Sequence, residues 1–107
     1  MIPEDQVEKA LDWLRDNAVP AAKAKADRIV VEAMLKVIKS KLMKSCGETT
    51  AAAQEREAEA HPDYERHLQA IAAAVELDET FKWRKEAAQS KIEAWRTMCS
   101  NERAAKP

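Results

Sequence analysis

Basic side chains interleaved with aromatic rings are the groups in this 107-residue sequence whose types and spacing suggest chemistry. The run Phe81-Lys82-Trp83-Arg84-Lys85 sets three cations around two rings, and Lys91, Trp95 and Arg96 follow within a few turns. Lys36, Lys39, Lys41 and Lys44 form a second basic set. Single-stranded nucleic acid suits such a mixture: cations neutralise phosphates and release counterions, and ring faces stack bases at about 1–3 kcal/mol each. Phe81 and Trp95 have a plainer use, because both fit an apolar seam and are assigned to packing. Trp83 lies off that seam and is the candidate stacking or interface residue. The nucleic-acid-binding candidates are therefore Lys36, Lys39, Lys41, Lys44, Lys82, Trp83, Arg84, Lys85 and Lys91. Taken singly, each lysine also reads as an ordinary solvated residue of a helix face.

Other reactive types are poorly placed. His61 and His67 are six residues apart, about 600° around a helix, so they point in different directions and read as surface histidines. Glu57 and His61 are four apart, but Pro62 breaks the helix that would align them. No metal site is expected. Cys46 and Cys99 have no Cys or His at ligand spacing. An antiparallel packing would hold them on the order of tens of ångströms apart, beyond the about 7 Å Cα limit of a disulfide. Two free thiols point to a reducing cytoplasm. The acidic pairs Glu57/Glu59 and Asp78/Glu79 read as solvated faces. No Ser-His-Asp or Cys-His set can be assembled. The sequence predicts no enzyme, no cofactor and no small-molecule substrate.

The elements that must carry these residues are helices. Gly47 is the only glycine, which excludes dinucleotide-binding, phosphate-loop and barrel designs that need glycine in turns. Ala, Glu, Lys, Leu and Arg dominate, the composition of long helices. No apolar run is long enough to span a membrane. The acidic start Met-Ile-Pro-Glu-Asp predicts no secretory signal.

The pattern predicts a single all-α domain over 1–107, with helices over about 4–18, 20–45, 50–60 and 62–101. Val7, Leu11 and Leu14 form the first stripe, with Trp13 beside them. Val19-Pro20 predicts a kink or break, Pro20 starting the next helix. Val31, Leu35, Ile38 and Leu42 form the second stripe, flanked by Val30, Met34 and Val37. Gly47 suits the residue after a helix end. Thr49 or Thr50 can cap Ala51–Ala60, which has no large apolar residue and is expected to be exposed, mobile, or covered only by a partner subunit. Pro62 opens the last helix. Its packing positions are Tyr64, Leu68, Ile71 and Val75, then Phe81, Ala88 and Trp95 every seven residues, with Ile92 and Cys99 alongside. The register shifts near Leu77-Asp78, like a stammer in a coiled coil. Such a helix needs a long antiparallel neighbour or other subunits. The predicted architecture is a long antiparallel helical hairpin with an added N-terminal helix, assembled as a homo-oligomer.

Charge is zoned. Eighteen basic residues face nineteen acidic ones overall, yet 1–22 is net −3, 23–44 is +5, 48–80 is −7 and 81–107 is +4. The zones must pair either within the hairpin or between subunits.

Ala60-His61-Pro62-Asp63-Tyr64 opens the last helix, and Lys91-Ile92-Glu93-Ala94-Trp95-Arg96 lies near its close. This pattern resembles small helical proteins of bacteriophages, in particular the UvsY-type recombination mediators, over about 45 residues of the C-terminal half. The resemblance implies an all-helical oligomer that binds single-stranded DNA and helps load a recombinase onto strand coated by single-strand-binding protein. Asp63, Tyr64, Ile92, Trp95 and Arg96 match the motif and look like packing positions. The cations above come from charge zoning and not from the family. The chain departs from the pattern in being shorter, less basic and interrupted by Pro20. A phage-type recombination accessory protein acting in the cytoplasm is the first reading. The alternative is a helical inhibitor or adaptor of a host nucleic-acid-binding complex, acting through the acidic zone 48–80. A scaffold whose oligomer is its function is the third.

Overall fold

The structure is a computed structural model that describes residues 2–106. It is all-α: α1 spans Glu4–Ser45, α2 Ala51–Ala60 and α3 Pro62–Ala105. Among the described residues, no helix is long and apolar enough to cross a membrane.

Each helix carries its own boundary signals. Glu4 and Asp5 occupy the first turn of α1 and Lys44 the last, signs that suit the helix dipole. Gly47 follows with φ 79°, a conformation that disfavours residues with a Cβ. Thr50, not Thr49, caps α2, its hydroxyl accepting from the Ala53 N–H at 3.2 Å. His61 ends α2 and begins α3. Its N–H donates to the Ala58 carbonyl at 3.2 Å, and its ring Nδ1 accepts from the Asp63 N–H at 3.0 Å. Loss of the threonine cap should cost about 1 kcal/mol. Thr50→Ala should therefore speed amide exchange along α2, while Thr50→Ser should not; equal exchange in both variants would refute the cap's role.

The predicted break at Pro20 does not occur, so there is no separate N-terminal helix. Proline removes one backbone bond and crowds the preceding turn, at about 3 kcal/mol in a helix interior. Pro20 and Asp16 are both exposed, so water can satisfy the carbonyl that loses its partner. Packing on either side of Pro20 holds the helix through it. At the other end, α3 runs four residues past the predicted close at 101.

Two compact units divide the chain. Unit 1 joins the residues up to Ala22 with those from Glu79 onward. Here Val7 and Ala10 of α1 and Ala88 of α3 are buried, and Trp13 meets Phe81 with ring centroids 6.5 Å apart. Ile92 and Trp95 are half-buried along the same seam, as expected. Leu11 departs from its stripe and is exposed.

Unit 2 is the continuous segment Lys23–Asp78. Val31, Leu35, Ile38 and Leu42 are half-buried on α1, and Tyr64, Ile71 and Val75 on α3. Leu68, predicted to pack, is 43% exposed. The covered face of α3 runs instead through His67, whose Nε2–H donates to the Val31 carbonyl at 2.6 Å, and Asp78, which accepts from Arg28 at 3.2 Å. His67 is therefore not the surface residue expected, nor is Asp78 part of a solvated pair. These two polar residues displaced the pattern by one position, because an apolar count passes over them. Most residues of α2 are exposed, as expected, but Ala58 is fully buried, and Glu55 and Glu59 both hold Lys39 of α1.

The acidic and basic zones thus pair, in part, within one chain. Unit 1 holds nine basic and nine acidic residues, unit 2 nine and ten.

Candidate nucleic-acid interface

The basic candidates fall into two sets on different units. Lys36, Lys41 and Lys44 are exposed on α1 in unit 2. Lys39 is not free for a ligand. Its Nζ lies 3.0 Å from Glu59 and 3.2 Å from Glu55. Hydrogen bonds to Glu59 and then Glu55 hold its pKa above the ordinary lysine value.

On α3, Lys82, Trp83, Arg84 and Lys85 are all exposed, Trp83 to 68%. Successive helical residues are about 100° apart, so these four fan around the helix and do not share a face. Arg84 and Lys91 do share one, being seven residues apart. Both line a groove of about 370 Å³ in unit 1, across from Gln6, Lys9, Ala10 and Trp13 of α1. Ala10, Ala87 and Ala88 are small and complete the lining, and Ala10 and Ala88 are buried.

Lys9 is the residue that sequence reasoning missed. It lies in the acidic zone 1–22, where zone averages hide it. The signal was local: Lys9 and Trp13 are four apart and must share a helix face.

The electrostatics of this groove differ from those of unit 2. Lys9, Arg84 and Lys91 line it with no carboxylate among the lining residues. Among the described residues none of the three has an ion-pair partner, whereas Arg28 and Lys39 of unit 2 are each tied to carboxylates. A second groove, in unit 2, is lined by Lys41 and Arg66 but also by Asp63, which holds the Arg66 guanidinium. Of the two, the first gathers more uncompensated positive charge, since in the second Asp63 offsets Arg66 and leaves Lys41 alone. Three cations lining one groove with small apolar residues between them can bind phosphates; Trp83 is exposed on another face of α3, outside the groove.

Tyr64 lies half-buried in the first turns of α3 after Asp63, and Ile92 and Trp95 are half-buried further along. Arg96 is exposed and paired with Glu93 at 2.8 Å. Cys46 and Cys99 are free thiols. Among the described residues, no group of three His, Cys, Asp or Glu side chains is placed to hold a metal ion. No family model matches the chain, and neither a curated protein nor a solved structure matches it significantly.

Proposed function

We propose that the protein binds single-stranded DNA without sequence preference through the cationic groove of unit 1, as an accessory that helps load a recombinase. The observation that carries this reading is the meeting of Lys9, Arg84 and Lys91 in a groove without carboxylates. The resemblance at Asp63-Tyr64 and Ile92…Trp95-Arg96 supplies the recombination context. A recombinase or a single-strand-binding protein is the expected protein partner. The role is non-catalytic and cytoplasmic, in a bacterial host if the chain is phage-encoded. The acidic zone 48–80 lends less to an inhibitor reading, because Glu55, Glu59 and Asp78 are engaged by cations of their own chain.

Phosphate binding by three cations has a defined salt signature. For single strands, log K falls with log salt at a slope of about −0.7 per phosphate neutralised, so about −2 for three. Affinity for a labelled strand of about 30 nucleotides should fall roughly twentyfold over a fourfold rise in salt, read by fluorescence anisotropy. Absence of binding at low salt, or binding indifferent to salt, overturns the proposal. It would direct attention to the protein-interaction alternative.

A further inference from the structure

Given strand binding in the groove of unit 1, on which this inference rests, we propose that Trp13 is the ring on which a base of the bound strand stacks, and that Trp83 is not. The chain has three tryptophans, and they stand in three different settings. Trp83 is exposed but lies outside the groove. Trp95 is half-buried further along the seam of α3 and does not line the groove either. Trp13 alone lines the same space as Lys9, Arg84 and Lys91.

A base is joined through one sugar to the phosphates on either side of it. The ring that stacks it must therefore stand among the cations that hold those phosphates. Trp13 meets this condition from both sides of the groove. Lys9 lies one turn before it on α1 and shares its helix face. Arg84 and Lys91 line the groove from α3, about 10 Å apart along the helix axis. At about 3.4 Å per stacked nucleotide, that length spans about three nucleotides. The phosphates engaged and the base on Trp13 then belong to one short stretch of strand.

The ring is also held in place. Trp13 is half-buried, with its ring centroid 6.5 Å from that of Phe81 at an interplanar angle of 40°. Packing against Phe81 fixes the indole before a ligand arrives, so little side-chain freedom remains to be lost on binding. Beside it lie Ala10, Ala87 and Ala88, whose methyl groups leave the groove open to a flat ring. Trp13 is thus a supported aromatic wall among three cations, where Trp83 is an aromatic side chain in solvent. Stacking is tolerant of base identity, because every base has a π-face, and this agrees with binding that has no sequence preference.

Two labelled strands of equal length test this by anisotropy: an ordinary single strand, and one with the same sugar-phosphate backbone but no bases. The wild-type protein should bind the ordinary strand at least about fivefold more tightly, the low end of the effect of one stacked base. Trp13→Leu should lose that preference and keep its salt slope, because no charge has been removed. Trp13→Phe should keep most of the preference, and Trp83→Leu all of it. Should Trp13→Leu fail to fold, fluorescence decides. In the variant Trp83→Phe, Trp95→Phe, the emission of Trp13 should be quenched by the ordinary strand and not by the strand without bases; equal emission with both overturns the proposal. Salt-sensitive binding of both strands with equal affinity by the wild type overturns stacking and leaves strand binding in place. A preference that persists in Trp13→Leu, or vanishes in Trp83→Leu, also overturns the assignment to Trp13. Failure of the wild type to bind either strand overturns the binding reading and this inference with it.

Discussion

Replacing Ala24 by leucine should lower the midpoint of thermal unfolding by about 10 °C. Ala24 is 3% exposed on the inner face of α1, one turn before Arg28, which reaches Asp78 of α3. A side chain this buried is enclosed by its neighbours, so added carbon must displace them. Overpacking forces side chains off their rotamers and moves backbone, at about 1–3 kcal/mol. In a domain near 100 residues each kcal/mol displaces Tm by about 4–8 °C. Leucine is nearly as good a helix former as alanine, so intrinsic propensity does not confound the comparison. Ala33→Leu is the matched control, on the exposed side of the same helix, and should change stability by less than about 0.5 kcal/mol. Equal midpoints for the two variants would show that α1 is not seated against α3 at Ala24.

Removing the groove's cations should have the largest effect on binding. The triple variant Lys9→Ala, Arg84→Ala, Lys91→Ala should bind single-stranded DNA about a hundredfold more weakly at low salt. Each lost ion pair with phosphate is worth about 1 kcal/mol at an accessible site, and about 1.4 kcal/mol is tenfold. The salt slope should flatten together with the affinity, because the same contacts release the counterions. Lys36→Ala, Lys41→Ala, Lys44→Ala removes the same charge from unit 2 and serves as the control. Lys82→Ala, Arg84→Ala, Lys85→Ala should fall between the two, since only Arg84 of that set lines the groove. A unit 2 triple variant as weak as the groove variant would show that binding follows net charge and not the groove.

The helices themselves were legible in the sequence. A single glycine, at the end of α1, and Pro62, at the start of α3, fix two boundaries by backbone chemistry alone. The stripes through Val31 and Ile71 are half-buried because apolar periodicity reports a helix face directly. Pro20 misled because its cost is local while the packing that offsets it is distant in sequence. Leu68 misled because the face beside it is carried by His67 and Asp78, polar residues satisfied across the helix pair. Ala24 and Ala58 are invisible to hydropathy, since alanine is equally at home on a surface or at a close approach. Of the candidate site, Arg84 and Lys91 were found as basic residues, but their grouping with Lys9 depends on which faces α1 and α3 turn to each other. Zone charge averages away that information.

The division into units sets a folding order. Unit 2 is one uninterrupted stretch, and its helices meet across the short connection that α2 occupies. Unit 1 is assembled from segments separated by the whole of unit 2. Closing a long loop costs chain entropy, and non-local pairing is slow for that reason. Once the middle of the chain has folded, most of that loop is already closed, and the outer segments can zip outward. On the ribosome, residues up to Ala22 have no packing partner until those from Glu79 onward have been made. Val7, Trp13 and the cationic groove are therefore the last parts of the molecule to acquire their native surroundings during synthesis.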